Sequence, residues 1–127
     1  MTSWTTNELE KIGTADELQI APSRQDGTHY KPVIIWAVRV GDDLYVRSVR
    51  GREAGWFRHT QIQHKGQITS SGIRKDVTFV DVSNDETLRS ELDAVYRTKY
   101  RKYSANYVDP IVAPQASAAT LKLVPSV

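Results

Sequence analysis

Residues 33–40 constrain this chain more than any other stretch. Val33, Ile34, Ile35, Trp36, Ala37 and Val38 form an unbroken apolar run, and Arg39 and Val40 complete the segment. So many β-branched and aromatic side chains together favour an extended strand buried on both faces. Gly41, Asp42 and Asp43 follow, a glycine and two short polar residues suited to a tight link. Residues 44–49 then alternate, with Leu44, Val46 and Ser48 on one face and Tyr45, Arg47 and Val49 on the other. The two arms read as a β-hairpin, so the fold must be one that builds a sheet.

The functional reading begins where the second arm ends. Between positions 47 and 58 stand four arginines, Arg47, Arg50, Arg52 and Arg58, against a single acid, Glu53. Gly51 and Gly55 let the backbone turn and approach a ligand closely. A short helix from Trp56 would add free N–H groups at its start, and Ser48 adds a hydroxyl. Together these groups suit a phosphate. The bland account stands beside it with equal weight: Arg47 and Arg50 as solvated strand-end charges paired with Asp42, Asp43 or Glu53. Trp36 reads as core. Of Trp56 and Phe57, one reads as core and the other as cover for a ligand or a partner.

The remaining chain supplies the frame. Thr5 and Glu8 form a capping box that opens a helix over about 5–13. Leu18, Ile20 and Pro22 mark a short strand, and residues 23–31 a polar loop. Residues 66–72 and 73–82 read as two more strands. Ser83 and Glu86 form a second capping box, predicting a long helix over about 84–103 with Leu88, Leu92, Val95, Tyr96, Tyr100 and Tyr103 as its apolar stripe. Residues 106–117, with Pro110 and Pro114, read as irregular, and residues 119–124 as a closing strand. Few strands are separated by helices long enough for parallel crossovers. The pattern implies one domain over 1–127, mainly β within an α+β class. Its sheet is expected to be an antiparallel barrel of about six strands with flanking helices.

Composition narrows the function classes. A net charge of +2 on 127 residues does not mark a nucleic-acid binder. The basic, tyrosine-rich stretch 96–103 is better explained as an apolar helix stripe whose cations sit at the negative end of the helix dipole, although Lys99 or Arg97 could also reach a cofactor. With no cysteine, disulfides and thiolate chemistry are excluded. His29, His59 and His64 lack metal-ligand spacing, so no metal is expected. No apolar run is long enough to cross a bilayer and no signal pattern opens the chain, so no membrane is expected and the cytoplasm is the default location.

Residues 45–58, with Gly51-Arg52-Glu53-Ala54-Gly55 at their centre, resemble the strand-turn-helix of the flavin-binding split-barrel superfamily. This superfamily includes the pyridoxamine-phosphate-oxidase-like proteins and the deazaflavin-dependent nitroreductases, which carry a similar Gly-Arg turn. Residues 119–125 resemble the closing strand of those proteins, and the whole chain resembles a small family of uncharacterised bacterial proteins related to them. The resemblance implies a split β-barrel, commonly a homodimer, holding FMN or a deazaflavin in a groove near the subunit interface. It implies Arg47, Ser48, Arg50, Gly51, Arg52, Gly55, Trp56 and Arg58 as the cofactor-binding set. Catalysis would be the cofactor's own, so no catalytic side chain is assigned. Where the deazaflavin-binding relatives usually carry lysine after the turn arginine, this chain has Glu53. Two functions are therefore expected: a flavin- or deazaflavin-dependent oxidoreductase, or a non-enzymatic split-barrel protein binding another anionic ligand or a protein partner. Glu53 favours the second.

Overall fold

A computed structural model describes residues 3–126. The strands are β1 (Leu18–Pro22), β2 (Val33–Ile35), β3 (Ala37–Val40), β4 (Asp43–Arg47), β5 (Lys65–Ser70), β6 (Ile73–Asp81) and β7 (Thr120–Pro125). The helices are α1 (Thr6–Thr14), α2 (Gly55–Gln63), α3 (Glu86–Lys99), α4 (Ala105–Val112) and α5 (Pro114–Ser117). All strand pairs are antiparallel, in the order β2-β1-β5-β6-β7-β4-β3. The sheet curls into a nearly closed barrel with helices packed around it.

The apolar arm is what closes it. Its first half, β2, pairs with β1 at one edge of the sheet, and its second half, β3, pairs with β4 at the other. Trp36 is the bend between them. One segment therefore supplies both edges, which raises the strand count from the expected six to seven. The arm is not buried on both faces: Ile34 is 57% exposed. The hairpin link is a two-residue loop, Gly41-Asp42, between paired Val40 and Asp43. Gly41 has φ +61°, as the first position of a type II′ turn requires.

Alternation along β4 divides two cores. Leu44 and Val46 join Ile20, Ile68, Phe79 and Leu121, while Tyr45 joins Leu92 and Tyr96 of α3 and Tyr100 just after it. Both faces of β4 are thus covered. The capping box of α1 is formed, Thr5 accepting from the Glu8 amide and Glu8 from the Thr5 amide. Glu8 also takes the Lys75 ammonium at 2.8 Å, which with the Thr5 amide holds its carboxyl below the usual range. The second capping box does not form. Asp85, not Ser83, caps α3 by accepting from the Leu88 amide. Ser83 is instead engaged by the Asp81 carboxylate and the Thr120 amide. The helix also ends at Lys99 rather than Tyr103. Residues 106–117, expected to be irregular, contain α4 and α5. Pro110 lies inside α4, where its ring lacks the N–H that the Asn106 carbonyl would have accepted.

Candidate functional site

A cavity of about 620 Å³ opens between the bend of the apolar arm, the end of β4, the start of α2 and one side of α4. Val33, Ile35 and Trp36 form one wall, Ser48, Val49 and Arg50 another, Gly55 and Trp56 a third, and Tyr107, Pro110 and Ile111 the last. Its size and mainly apolar lining are those of a small-molecule site.

Five of the eight sequence-derived residues line this cavity: Arg47, Ser48, Arg50, Gly55 and Trp56. They differ in what they have left to offer. The Arg47 side chain is wholly buried and engaged by four hydrogen bonds. It donates to Asp93 Oδ1 at 2.5 Å, to the Ile111 carbonyl at 3.1 Å, to the Arg89 carbonyl at 3.2 Å and to Thr120 Oγ1 at 3.3 Å. It clamps α3, α4 and β7 to β4 and has no free face for a phosphate. Asp93, not Asp42, Asp43 or Glu53, is its partner.

Ser48 is the opposite case. It is 1% exposed, and its hydroxyl has no hydrogen-bond partner among the described residues. A buried hydroxyl without a partner costs about 1–3 kcal/mol. Nearby, α2 begins on Ala54, which has no side chain to cap it. The first bond within this turn runs from the Arg58 amide to the Ala54 carbonyl, so the Gly55, Trp56 and Phe57 amides precede it as free donors. Arg50 is exposed, and its guanidinium makes no hydrogen bond or ion pair among the described residues. Only its carbonyl is held, by Gln115 Nε2 at 2.9 Å. An unpaired hydroxyl, uncapped amides and a guanidinium without a partner are groups of the kind that an anion uses.

Gly51, Arg52 and Arg58 lie outside the lining. Gly51 shapes the turn: its φ is +78°, and a Cβ there would stand 2.7 Å from Gln115 Cγ. Gly55 needs no such freedom, since a Cβ there would meet nothing within 4 Å. Arg52 points away, donating to Asp81 Oδ2 and the Ala118 carbonyl, each at 2.9 Å, and lying over the Phe57 ring. Burial alone would raise the Asp81 carboxyl, but hydrogen bonds from Ser83 and Arg52 hold it below the usual range. Arg58 is exposed on α2. Glu53 is exposed and also outside the lining, so it is no objection to an anion in the cavity.

Two walls were missed by sequence reasoning. Trp36 lines the cavity as well as packing against the second core. Helix α4 brings Asn106, Tyr107, Pro110 and Ile111, and the signal for it was present: Val108, Ile111 and Val112 stand at helical spacing after Ser104. Phe57 is fully buried in the first core, leaving Trp56 at the cavity.

The comparisons with known proteins find the same fold in solved structures. A candidate 5-nitroimidazole antibiotic resistance protein from Bacteroides thetaiotaomicron is 17% identical, with all of this chain aligned to 83% of that one at a TM-score of 0.66. The haem storage protein HutZ from Vibrio cholerae is 16% identical over 93% of this chain and 87% of that one, with a TM-score of 0.64. An FAD-binding protein from Mesorhizobium loti is 14% identical over 97% and 89%, with a TM-score of 0.55. No curated protein matches the chain significantly by sequence. Residues 8–123 match the family described as "Uncharacterized protein conserved in bacteria (DUF2255)", and the chain belongs to it. No helix among the described residues is long and apolar enough to cross a membrane.

Proposed function

We propose that this chain binds a flavin or deazaflavin and serves as an oxidoreductase. Ser48 Oγ, the Arg50 guanidinium and the Gly55 and Trp56 amides hold the cofactor's phosphate. The apolar part of the cavity, with Trp36, Ile35 and Ile111, takes the ring. The observation that carries the reading is the buried, partnerless Ser48 hydroxyl in the wall of this cavity. When bound, the ring supplies the electron transfer, and the chain binds it, orients it and keeps water away. The similar FAD-binding protein supports a flavin. Haem, which HutZ stores, fits less well. The described lining residues include no histidine, cysteine or methionine, and Tyr107 is the single tyrosine among them.

The test is a fluorescence titration with FMN and with a deazaflavin. Arg50→Glu should lower affinity by at least about tenfold, because it removes a charge-assisted hydrogen bond and adds repulsion. Circular dichroism should be unchanged, and Arg101→Glu, remote from the cavity, should bind as wild type does. Equal affinity in Arg50→Glu removes this site from the reading, and no binding by wild type favours the non-enzymatic alternative.

The same reading includes a homodimer. Ile34, Val49 and Tyr107 are 57%, 46% and 66% exposed, and all three stand at the cavity. A second copy covering that rim would remove apolar surface from water and shield the cavity. Sedimentation should show a dimer at micromolar concentration, and Val49→Glu should make it a monomer.

A further inference from the structure

Behind the cavity wall, Trp36 continues into a column of aromatic rings that ligand binding does not require. Trp36 stacks on Tyr100 with centroids 3.8 Å apart and planes within 2° of parallel. Tyr103 lies 5.2 Å from Trp36 and 6.1 Å from Tyr100. The other aromatic residues of the cavity lead nowhere comparable. Trp56 meets Phe57 edge-on at 5.8 Å, a ring much harder to oxidise, and Tyr107 is exposed.

The phenols of the column differ in what their protons can do. Tyr96 donates to the Trp36 carbonyl at 3.0 Å, and Tyr100 donates to the Asp16 and Ala37 carbonyls at 2.8 and 3.2 Å. An amide carbonyl is too weak a base to accept a proton from an oxidised phenol. Tyr103 donates instead to the Asp16 carboxylate at 3.0 Å, which Lys102 also holds at 2.7 Å. Burial raises the Tyr96 and Tyr100 phenols, and the bond to Asp16 raises Tyr103, so all three are protonated at neutral pH. Tyr103 is the member of this column that can lose an electron and release its proton to a base already in contact.

We propose that Trp36, Tyr103 and Asp16 form a one-electron relay that carries oxidising equivalents out of the cavity. It rests on the cavity holding a flavin, as proposed above. Trp36 would give one electron to a light-excited oxidised flavin held in the cavity. Tyr103 replaces that electron, and its phenolic proton passes to the Asp16 carboxylate. One electron would thus have passed into the cavity, leaving Tyr103 a neutral radical and Asp16 a neutral acid. The damage-prone radical then sits on a half-buried residue outside the cavity, where dissolved reductants reach it.

Because the chain has no cysteine, one introduced thiol can place the oxidant without depending on native cofactor affinity. Asn106→Cys puts that thiol at the cavity, and Tyr107→Phe in the same protein removes a competing exposed phenol. This parent is coupled to a maleimide-bearing flavin and flashed with blue light, with readout by transient absorption and electron paramagnetic resonance. The parent should give a tyrosyl radical. Tyr103→Phe should lose it and leave a shorter-lived tryptophan radical, Trp36→Phe should lose the tyrosyl radical even where Trp56 still gives a tryptophan one, and Asp16→Asn should delay the tyrosyl signal. Circular dichroism confirms folding, and Asp16→Asn, which preserves shape, keeps the test alive should Trp36→Phe fail to fold. A tyrosyl signal that survives Tyr103→Phe, or that ignores both Trp36→Phe and Asp16→Asn, overturns the relay. The free-FMN titration of the unmodified chain judges the cofactor reading separately.

Discussion

Two corners of the barrel border the same cavity and treat their polar groups in opposite ways. At Trp36 and Ala37, where the arm leaves β1 for β4, carbonyls that lose their sheet partners gain others from α3. Tyr96 Oη donates to Trp36, and Tyr100 Oη and Lys99 Nζ donate to Ala37. At Ser48 to Gly55, where β4 ends, the buried Ser48 hydroxyl and the Arg50 guanidinium have no partner among the described residues, and α2 starts uncapped. The saturated corner is complete without a ligand. The unsaturated one carries a desolvation cost that a phosphate oxygen would relieve. Arg47 and Arg50 repeat the contrast three positions apart: one guanidinium is a clamp, the other is free. Residue type did not distinguish them, and available donors do.

The contrast breaks hardest at Arg47. Arg47→Met keeps much of the volume but leaves the Ile111 and Arg89 carbonyls without their donor, and should cost about 2–4 kcal/mol of stability. Urea unfolding measures it, and a loss as small as that of a surface substitution would mean the clamp is not structural. Arg50→Met, by the same assay, should stay within about 0.5 kcal/mol of wild type.

The saturated corner can be sharpened through Lys99. Its partial burial pushes the ammonium down to about 8, with Asp16 opposing weakly. The folded chain therefore holds this proton less tightly than the unfolded chain does. Between about pH 8 and the ordinary lysine range the unfolded state binds more protons, so stability rises with pH across that window. After allowance for solvent screening at a partly exposed group, the rise should be about 1–2 kcal/mol. Lys99→Met should flatten it, and an equal rise in both proteins would assign the pH dependence to another group.

The smallest effect should come from Ser48→Ala. Removing an unpaired buried hydroxyl should raise unliganded stability by about 1 kcal/mol, the low end of its desolvation cost. The thermal shift produced by FMN should shrink at the same time. A large loss of unliganded stability would mean the hydroxyl has a partner after all.

The hairpin could be read from the sequence because its signals are local: an apolar arm, a glycine link and strict alternation. The fates of the arginines could not. The partners of Arg47 lie 42–73 positions further along the chain, and nothing near Arg47 announces them. Ser48 was named as a donor, but its lack of a partner is a property of the packed barrel. Ser83 was misread as a cap because the capping pattern is local, whereas its bonds to Asp81 and the Thr120 amide are set by β7. Helix α4 was hidden by Pro110, which is tolerated inside it, and by Pro114 just beyond its end.

That one arm supplies both edges of the sheet bears on how the molecule forms. Pairs such as Gln19 with Thr69, or Leu44 with Leu123, bring together distant parts of the chain, and such contacts form slowly. The seam at Trp36 joins the sheet's two edges, so it is complete only when both sets of pairs are in place. The cavity's wall is that seam. A ligand there would bind closed barrels and not partly assembled ones, shifting the folding equilibrium by mass action. Chains refolded with ligand should therefore accumulate fewer open intermediates than chains refolded alone.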